Sequence, residues 1–167
     1  LRQGKGSLYE GGIRIPMIVS GPGIASASTS HQYIGVDDVF PTVLQMAGYA
    51  NYKTIQKVDG QSIVPFLHDQ HKKDNEKVLL WHYPNNWTNI NLKGISWGTA
   101  LRKGKWKLIY FHKYSTLELY DLDADLGEHN DLAARYPEKV KELAELMTNE
   151  LKNRSALMPT FKKDGKQ

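Results

Sequence analysis

The sequence predicts an α/β fold that ends in a small antiparallel sheet with a packed helix, and three observations predict it. Residues 15–19 are short, apolar and bounded by Pro and Gly, which suits a buried strand of a parallel sheet. Runs rich in β-branched and aromatic residues recur between 78 and 122 with turn residues between them. Val140, Leu143, Ala144, Met147 and Leu151 then stand at i, i+3, i+4, i+7 and i+11, the spacing of one helix face.

Taken in order, Ile15-Pro16-Met17-Ile18-Val19 is the first expected strand, and Gly21-Pro22-Gly23 ends it. After a polar Ser/Thr loop at 26–30, Asp38 is the candidate N-cap of a helix whose face is Val39, Val43, Leu44 and Met46 and whose stop is Gly48. A short helix is expected over 62–68. The stretch Asp69-Gln70-His71-Lys72-Lys73-Asp74-Asn75-Glu76-Lys77 is polar throughout and reads as a linker. Strands are expected over 78–83, 98–103, 105–112 and 117–122, with Gly104 between two of them, as in an antiparallel meander. Pro137 stands where a helix can begin, and the apolar stripe behind it is expected to lie on the sheet. The expected domains are residues 1–70, completing a larger α/β sheet, and residues 77–167, a sheet-plus-helix subdomain.

Composition narrows the functional classes. The 167 residues are 40% hydrophobic and 24% charged, an ordinary balance for a globular protein with a core of its own. A net charge of +4 is modest, and the lysines are scattered or gathered at the tail (Lys162, Lys163, Lys166), with no aromatic-interleaved basic face for nucleic acid. No apolar run approaches the ~18 residues of a membrane span. The chain has no cysteine, which excludes disulfides and leaves the compartment open.

Chemistry concentrates in Gly4-Lys5-Gly6-Ser7-Leu8-Tyr9-Glu10-Gly11-Gly12-Ile13-Arg14-Ile15-Pro16. Glycines beside Lys5 let the backbone approach a ligand closely, and the ammonium supplies a compact charge for an anionic oxygen. Read whole, Gly-Lys-Gly-x-x-Tyr-Glu-Gly-Gly-x-Arg-x-Pro resembles the second signature of the type I, formylglycine-dependent sulfatases. Later segments resemble that family in the same order: Asp38-Val39-Phe40-Pro41-Thr42-Val43-Leu44-Gln45-Met46-Ala47-Gly48, Asp59-Gly60-Gln61-Ser62 leading to Pro65-Phe66-Leu67, Trp81-His82-Tyr83-Pro84, Ala100-Leu101-Arg102-Lys103-Gly104-Lys105-Trp106-Lys107-Leu108, and Glu118-Leu119-Tyr120-Asp121-Leu122. The resemblance thins after about Tyr136.

The resemblance implies an alkaline-phosphatase-like fold, hydrolysis of sulfate esters, and a catalytic role for Lys5 in contacting the substrate sulfate. It also implies calcium and formylglycine in the parent enzyme. The formylglycine precursor motif, [Cys/Ser]-x-Pro-x-Arg, is not satisfied: Ser20-Gly21-Pro22-Gly23-Ile24 has Ile24 where arginine is required and reads as a turn. The family's calcium-binding Asp-Asn pair would fall upstream of Leu1. The chain is therefore expected to be the C-terminal part of a sulfatase, without metal ligands of its own, inactive alone, and partnered by the missing N-terminal part. A periplasmic, extracellular or lysosomal setting is implied by the resemblance alone, and a homo-oligomer is open.

The remaining candidates each have a bland alternative. Glu10 and Arg14 are four apart and oppositely charged, a structural pair. His82, at a strand end before Pro84, is a candidate substrate contact; a histidine bonded to its neighbours explains it equally. Relatives carry a further histidine after His-Tyr-Pro, where this chain has Asn85. Trp87, in an Asn-rich loop, is a candidate stacking platform for a sugar ring, consistent with carbohydrate sulfates, or simply packs the loop down. Asp121-Leu122-Asp123-Ala124-Asp125-Leu126-Gly127 mimics a calcium loop but lacks its glycine and closing glutamate, having Leu126 and Leu132 there. Asn86-Trp87-Thr88 and Asn153-Arg154-Ser155 fit glycosylation triplets. Two alternatives to a sulfatase stand beside it: a phosphodiesterase or phosphonate hydrolase sharing the fold, and a non-catalytic accessory binding fragment.

Overall fold

The computed structural model describes residues 1–49, 51–85, 94–95 and 97–160. Four strands, β1 (Val78–Tyr83), β2 (Gly98–Lys103), β3 (Trp106–Phe111) and β4 (Thr116–Asp121), form one sheet in the order β1-β2-β3-β4. All pairings are antiparallel, with Val78 opposite Lys103, Gly98 opposite Phe111 and Trp106 opposite Asp121. The meander read from the sequence is thus observed, each strand within one residue of its expected limits or differing only at its end.

Side chains of successive strand residues point to opposite faces, so each strand feeds two cores. On one face Leu101, Leu108 and Leu119 are buried against Leu143, Met147 and Leu151 of a helix, α4 (Pro137–Asn153). Proline suits the first turn of that helix because its fixed φ is helical and its missing N–H has no intrahelical partner to lose. On the other face Ala100, Ile109, Phe111 and Tyr120 pack with Leu8 and Tyr9 from the start of the chain. Leu8 and Tyr9 are completely buried, and a buried leucine alone contributes about 1.5–3 kcal/mol. That burial, with the bond from the Leu8 N–H to the Gly94 carbonyl at 2.9 Å, holds the N-terminal segment on the sheet.

The chain accordingly divides into Leu1–Ile15 with Glu76–Gln167, and Pro16–Asn75. This grouping differs from the expected split into 1–70 and 77–167: the second face of the sheet needs a cover, and the first fifteen residues supply it. A one-turn helix, α1 (Glu10–Ile13), lies in that cover.

The second unit holds a 3-10 turn (Val36–Asp38) running into α2 (Val39–Met46), and α3 (Val64–His68). Asp38 does not cap α2 forward. Its buried carboxylate reaches back to the Gly35 N–H and across to the Gln61 N–H, both at 2.8 Å, because the 3-10 turn has already consumed the geometry of a forward cap. The helix closes with Tyr49 N–H on the Leu44 carbonyl and Gly48 N–H on that of Gln45, a Schellman arrangement. The expected turn at Gly21-Pro22-Gly23-Ile24 is present, with the Ile24 N–H on the Gly21 carbonyl at 3.2 Å.

Residues 15–19 form no strand. Ile15 is 79% exposed and Ile18 94% exposed, against the expectation of a buried strand. A strand persists only where a neighbour takes its N–H and C=O groups, and among the described residues none pairs with this run.

Candidate functional site

Lys5 stands in the tight turn 4–7, where the Ser7 N–H donates to the Gly4 carbonyl at 3.1 Å. Gly6 follows it at φ +86°, the left-handed conformation that a type II turn demands at its third residue and that glycine adopts without steric cost. The turn is closed from below by Gly11 and Gly12. A Cβ on Gly11 would stand 2.3 Å from the Gln3 carbonyl oxygen, and one on Gly12 2.2 Å from that of Ser7, so only glycine lets α1 lie this close to the turn. Lys5 is exposed, and its ammonium makes no ion pair among the described residues.

Beneath the turn lies a buried set of charges. Lys107, in β3 and wholly inaccessible, places its Nζ 2.9 Å from Glu10 Oε1 and 2.7 Å from Glu128 Oε1. Glu128 Oε2 accepts the Glu10 backbone N–H at 2.6 Å, and its carbonyl accepts from Arg2 Nη1 at 2.9 Å. Arg14 Nη1 meets Glu10 Oε2 at 3.2 Å, the pair expected from their spacing. Burial opposes ionisation of Glu10, but Lys107 and Arg14 outweigh it and hold its carboxyl below the usual range. Burial prevails at Glu128 and pushes its carboxyl up against the pull of Lys107.

Glu118, also in the strands, accepts from Tyr9 and Tyr120 hydroxyls, each at 2.7 Å on Oε2. Arg2 donates to the Tyr120 oxygen at 2.8 Å and lies 4.0 Å from the centre of the Tyr9 ring. Burial first, then Glu118, raises both phenols above their ordinary range, so they stay protonated donors. Sequence reasoning did not assemble this cluster. Its one signal is parity: Lys107 shares a face with Ile109 and Phe111, and Glu118 with Tyr120, so charged residues fall at core-facing positions and require buried partners.

His82 lies at the far end of β1. Its Nε2 is 2.8 Å from the Leu157 carbonyl, which can only accept, so Nε2 carries the proton. In a neutral ring Nδ1 then accepts from the Thr99 hydroxyl at 2.7 Å, and Thr99 in turn accepts from His112 Nε2 at 3.0 Å. Burial, with His82 beside it, lowers His112 to about 4. Both ring nitrogens of His82 are thus committed to neighbours, and the arrangement does not bring His82 together with Lys5 in any described contact. Trp87 and the first glycosylation triplet lie outside the described residues. Asn153 of the second is the last residue of α4.

The acidic run 121–127 folds on itself. Asp121 takes the Asp123 and Ala124 N–H groups and Lys105 Nζ, while Asp125 takes those of His129 and Asn130. Among the described residues no group of three or more His, Cys, Asp or Glu side chains could hold a metal ion. The carboxylates here do not fit a calcium site, since Glu10, Glu128 and Glu118 are spent on Lys107 and the two phenols.

Residues 4–156 match the family described as N-sulphoglucosamine sulphohydrolase, C-terminal. The chain belongs to the sulfatases. A sulfatase from Formosa agariphila is 32% identical over 158 residues, covering 91% of this chain and 29% of its own length. Arylsulfatase K of Gallus gallus is 28% identical over 148 residues, 86% of this chain and 26% of its own. A solved protein in complex with its substrate D-glucosamine-2-N,6-O-disulfate superposes with a TM-score of 0.51 at 27% identity, covering 69% of this chain and 23% of that one. A 2-O GAG sulfatase shares the fold, with a TM-score of 0.50 at 23% identity over 74% of this chain and 27% of its own. The chain thus spans less than a third of the length of the sulfatases it matches. The α/β fold of this chain, with its antiparallel sheet and packed helix, is thus similar to parts of both solved structures.

Proposed function

We propose that this chain is the C-terminal part of an enzyme that hydrolyses sulfate esters of carbohydrates, and that Lys5 contacts the sulfate. The observation that carries the reading is the Lys5 turn itself: an exposed ammonium without an ion-pair partner among the described residues, on a backbone fixed by Gly11 and Gly12. As the sulfate ester breaks, negative charge grows on the sulfate and leaving oxygens, and a cation already in place lowers that barrier without reorganising. Carbohydrate sulfates are favoured by the glucosamine disulfate bound to the similar solved protein. A stacking role for Trp87 would suit the same substrates. A substrate bond from His82 would require it to release the Leu157 carbonyl or Thr99.

Formylglycine, the nucleophile of the resembled family, would supply the attack on sulfur. The chain has no cysteine, and its Ser20-Gly21-Pro22-Gly23-Ile24 is folded as a turn. The chain alone is therefore expected not to turn over aryl sulfates, with or without added calcium. In the full-length polypeptide, Lys5→Ala is expected to lower kcat by roughly tenfold or more with little change in Tm, since it removes one electrostatic contact from the transition state. An unchanged kcat makes Lys5 a surface residue and removes the basis of the proposal.

A further inference from the structure

Glu128 is hydrogen-bonded on both sides of the Lys5 turn. Its carbonyl oxygen holds Arg2, three residues before Lys5, and its Oε2 holds the backbone of Glu10, five residues after. It is completely buried and stands at φ +54°, a left-handed conformation uncommon for a residue with a side chain. Such strain persists only where the surroundings over-determine it. Here the surroundings are Lys107 Nζ on Oε1 at 2.7 Å and the Glu10 N–H on Oε2.

Between Arg2 and Glu10 the segment has other ties as well: Ser7 bridges Ile95, the Tyr9 hydroxyl donates to Glu118, and Arg2 donates to the Tyr120 oxygen. Gly11 N–H returns to the Arg2 carbonyl at 3.1 Å, closing the segment into a loop, and Leu8 is tied to Gly94. To these ties Glu128 adds a carboxylate and a carbonyl of one residue, one acting on each side of the turn 4–7.

We propose that Glu128 is a positioning residue of the anion site, fixing through Arg2 and Glu10 where the Lys5 ammonium stands. This rests on the reading of Lys5 as the sulfate contact. A displacement of the order of 1 Å at a catalytic group can cost up to about a hundredfold in rate, so a base that fixes the turn matters to kcat as well as to folding. Lys107 serves the same base by donating to both Glu10 and Glu128, whereas Arg14 binds only the other oxygen of Glu10.

The test is a double-mutant cycle in the full-length polypeptide, with kcat and KM for a chromogenic aryl sulfate and Tm for each variant. Glu128→Gln keeps the side-chain shape and removes the charge; Arg2→Met removes the bonds to the Glu128 carbonyl and the Tyr120 oxygen and the contact with the Tyr9 ring, and serves where Glu128→Gln does not fold. Leu143→Ala, on the opposite face of the sheet, is the control for lost stability alone. Expected is a fall in kcat of roughly ten- to a hundredfold for Glu128→Gln or Arg2→Met, which shrinks to less than about twofold when Lys5 is already alanine. Leu143→Ala lowers Tm and leaves kcat of the folded fraction near wild type. Full additivity with Lys5→Ala, or a kcat as high as the control's, overturns the positioning role while leaving Lys5 as the sulfate contact. If Lys5→Ala is itself silent, the reading beneath the proposal fails and the proposal with it.

Discussion

Glu10 and Lys107 are 97 positions apart in the chain, yet their charged atoms meet at 2.9 Å with both side chains shut away from water. An ion pair in such a place gains little net stability, because desolvating both groups offsets their attraction. What it does is discriminate. The Lys107 ammonium in β3 is tolerable only with Glu10 and Glu128 against it, so the segment bearing the Lys5 turn has one admissible placement on the sheet, and any slip leaves a buried charge bare.

Lys107→Met is accordingly expected to destabilise the folded protein by about 3–5 kcal/mol, the cost of leaving carboxylates buried without their cation. Urea unfolding at pH 7 measures it. The deficit should shrink on moving to pH 5, because Glu10 and Glu128, facing each other without Lys107, take up a proton. A loss below about 1 kcal/mol would mean that water reaches the cluster and that it fixes nothing.

Gly12→Ala and Gly4→Ala separate packing from turn flexibility. An added methyl on Gly12 would sit 2.2 Å from the Ser7 carbonyl oxygen and 2.7 Å from that of Gly4, whereas one on Gly4 meets nothing within 4 Å. Forcing an atom into such a contact costs roughly 1–3 kcal/mol, and here it pushes on the turn that carries Lys5. Gly12→Ala is expected to lower Tm and kcat together in the full-length polypeptide, with Gly4→Ala near wild type in both. Equal effects of the two would show that the turn is not held from below.

His112 makes stability depend on pH. Folded, its ring stays neutral down to about 4; unfolded, it protonates near the ordinary 6.5. Between those values the unfolded chain binds the extra proton, so the contribution is complete above about pH 6.5 and is lost as pH falls toward 4. At about 1.4 kcal/mol per unit, the loss approaches 3 kcal/mol at the acid end. Unfolding free energies at pH 7 and pH 5 should therefore differ by more in wild type than in His112→Gln, which cannot titrate. Parallel pH profiles would place water around the imidazole.

How far the sequence carries depends on the range of each signal. The strands and α4 are legible because runs of β-branched and aromatic residues and the period-3.6 stripe are local signals, and Gly104 and Pro137 punctuate them. Lys5 is legible through its thirteen-residue signature, although the reason for Gly11 and Gly12 appears only when the carbonyls of Gln3 and Ser7 are seen against them. The clamp of Arg2, Glu10, Lys107 and Glu128 is not legible, because its bonds join residues 21 to 126 positions apart, and all but the Lys107–Glu128 bond span 97 or more. The run 15–19 misleads for the opposite reason: its apolar composition calls for a cover without saying what provides one.

Hydrogen exchange on the chain as given distinguishes a paired segment from an unpaired one. Amides of β2 and β3 lie in the middle of the sheet, and α4 covers one of its faces, so 98–103, 106–111 and 140–151 should exchange slowly. The other face is covered by Leu8 and Tyr9, so the amides of Leu8 and Gly11, bonded to the Gly94 and Arg2 carbonyls, should exchange more slowly than the exposed loop at 26–30. Residues 15 and 17–19 have no strand partner among the described residues, and Ile15 and Ile18 are open to solvent, so their amides should exchange at close to the unfolded rate. In a longer polypeptide that adds upstream sequence, exchange of 17–19 should slow if that run completes a sheet, since a neighbouring strand would then take its N–H groups. Protection of 17–19 equal to that of 106–111, in a sample shown to be monomeric, would mean that the run is already paired within this chain and that its exposed apolar side chains await no partner.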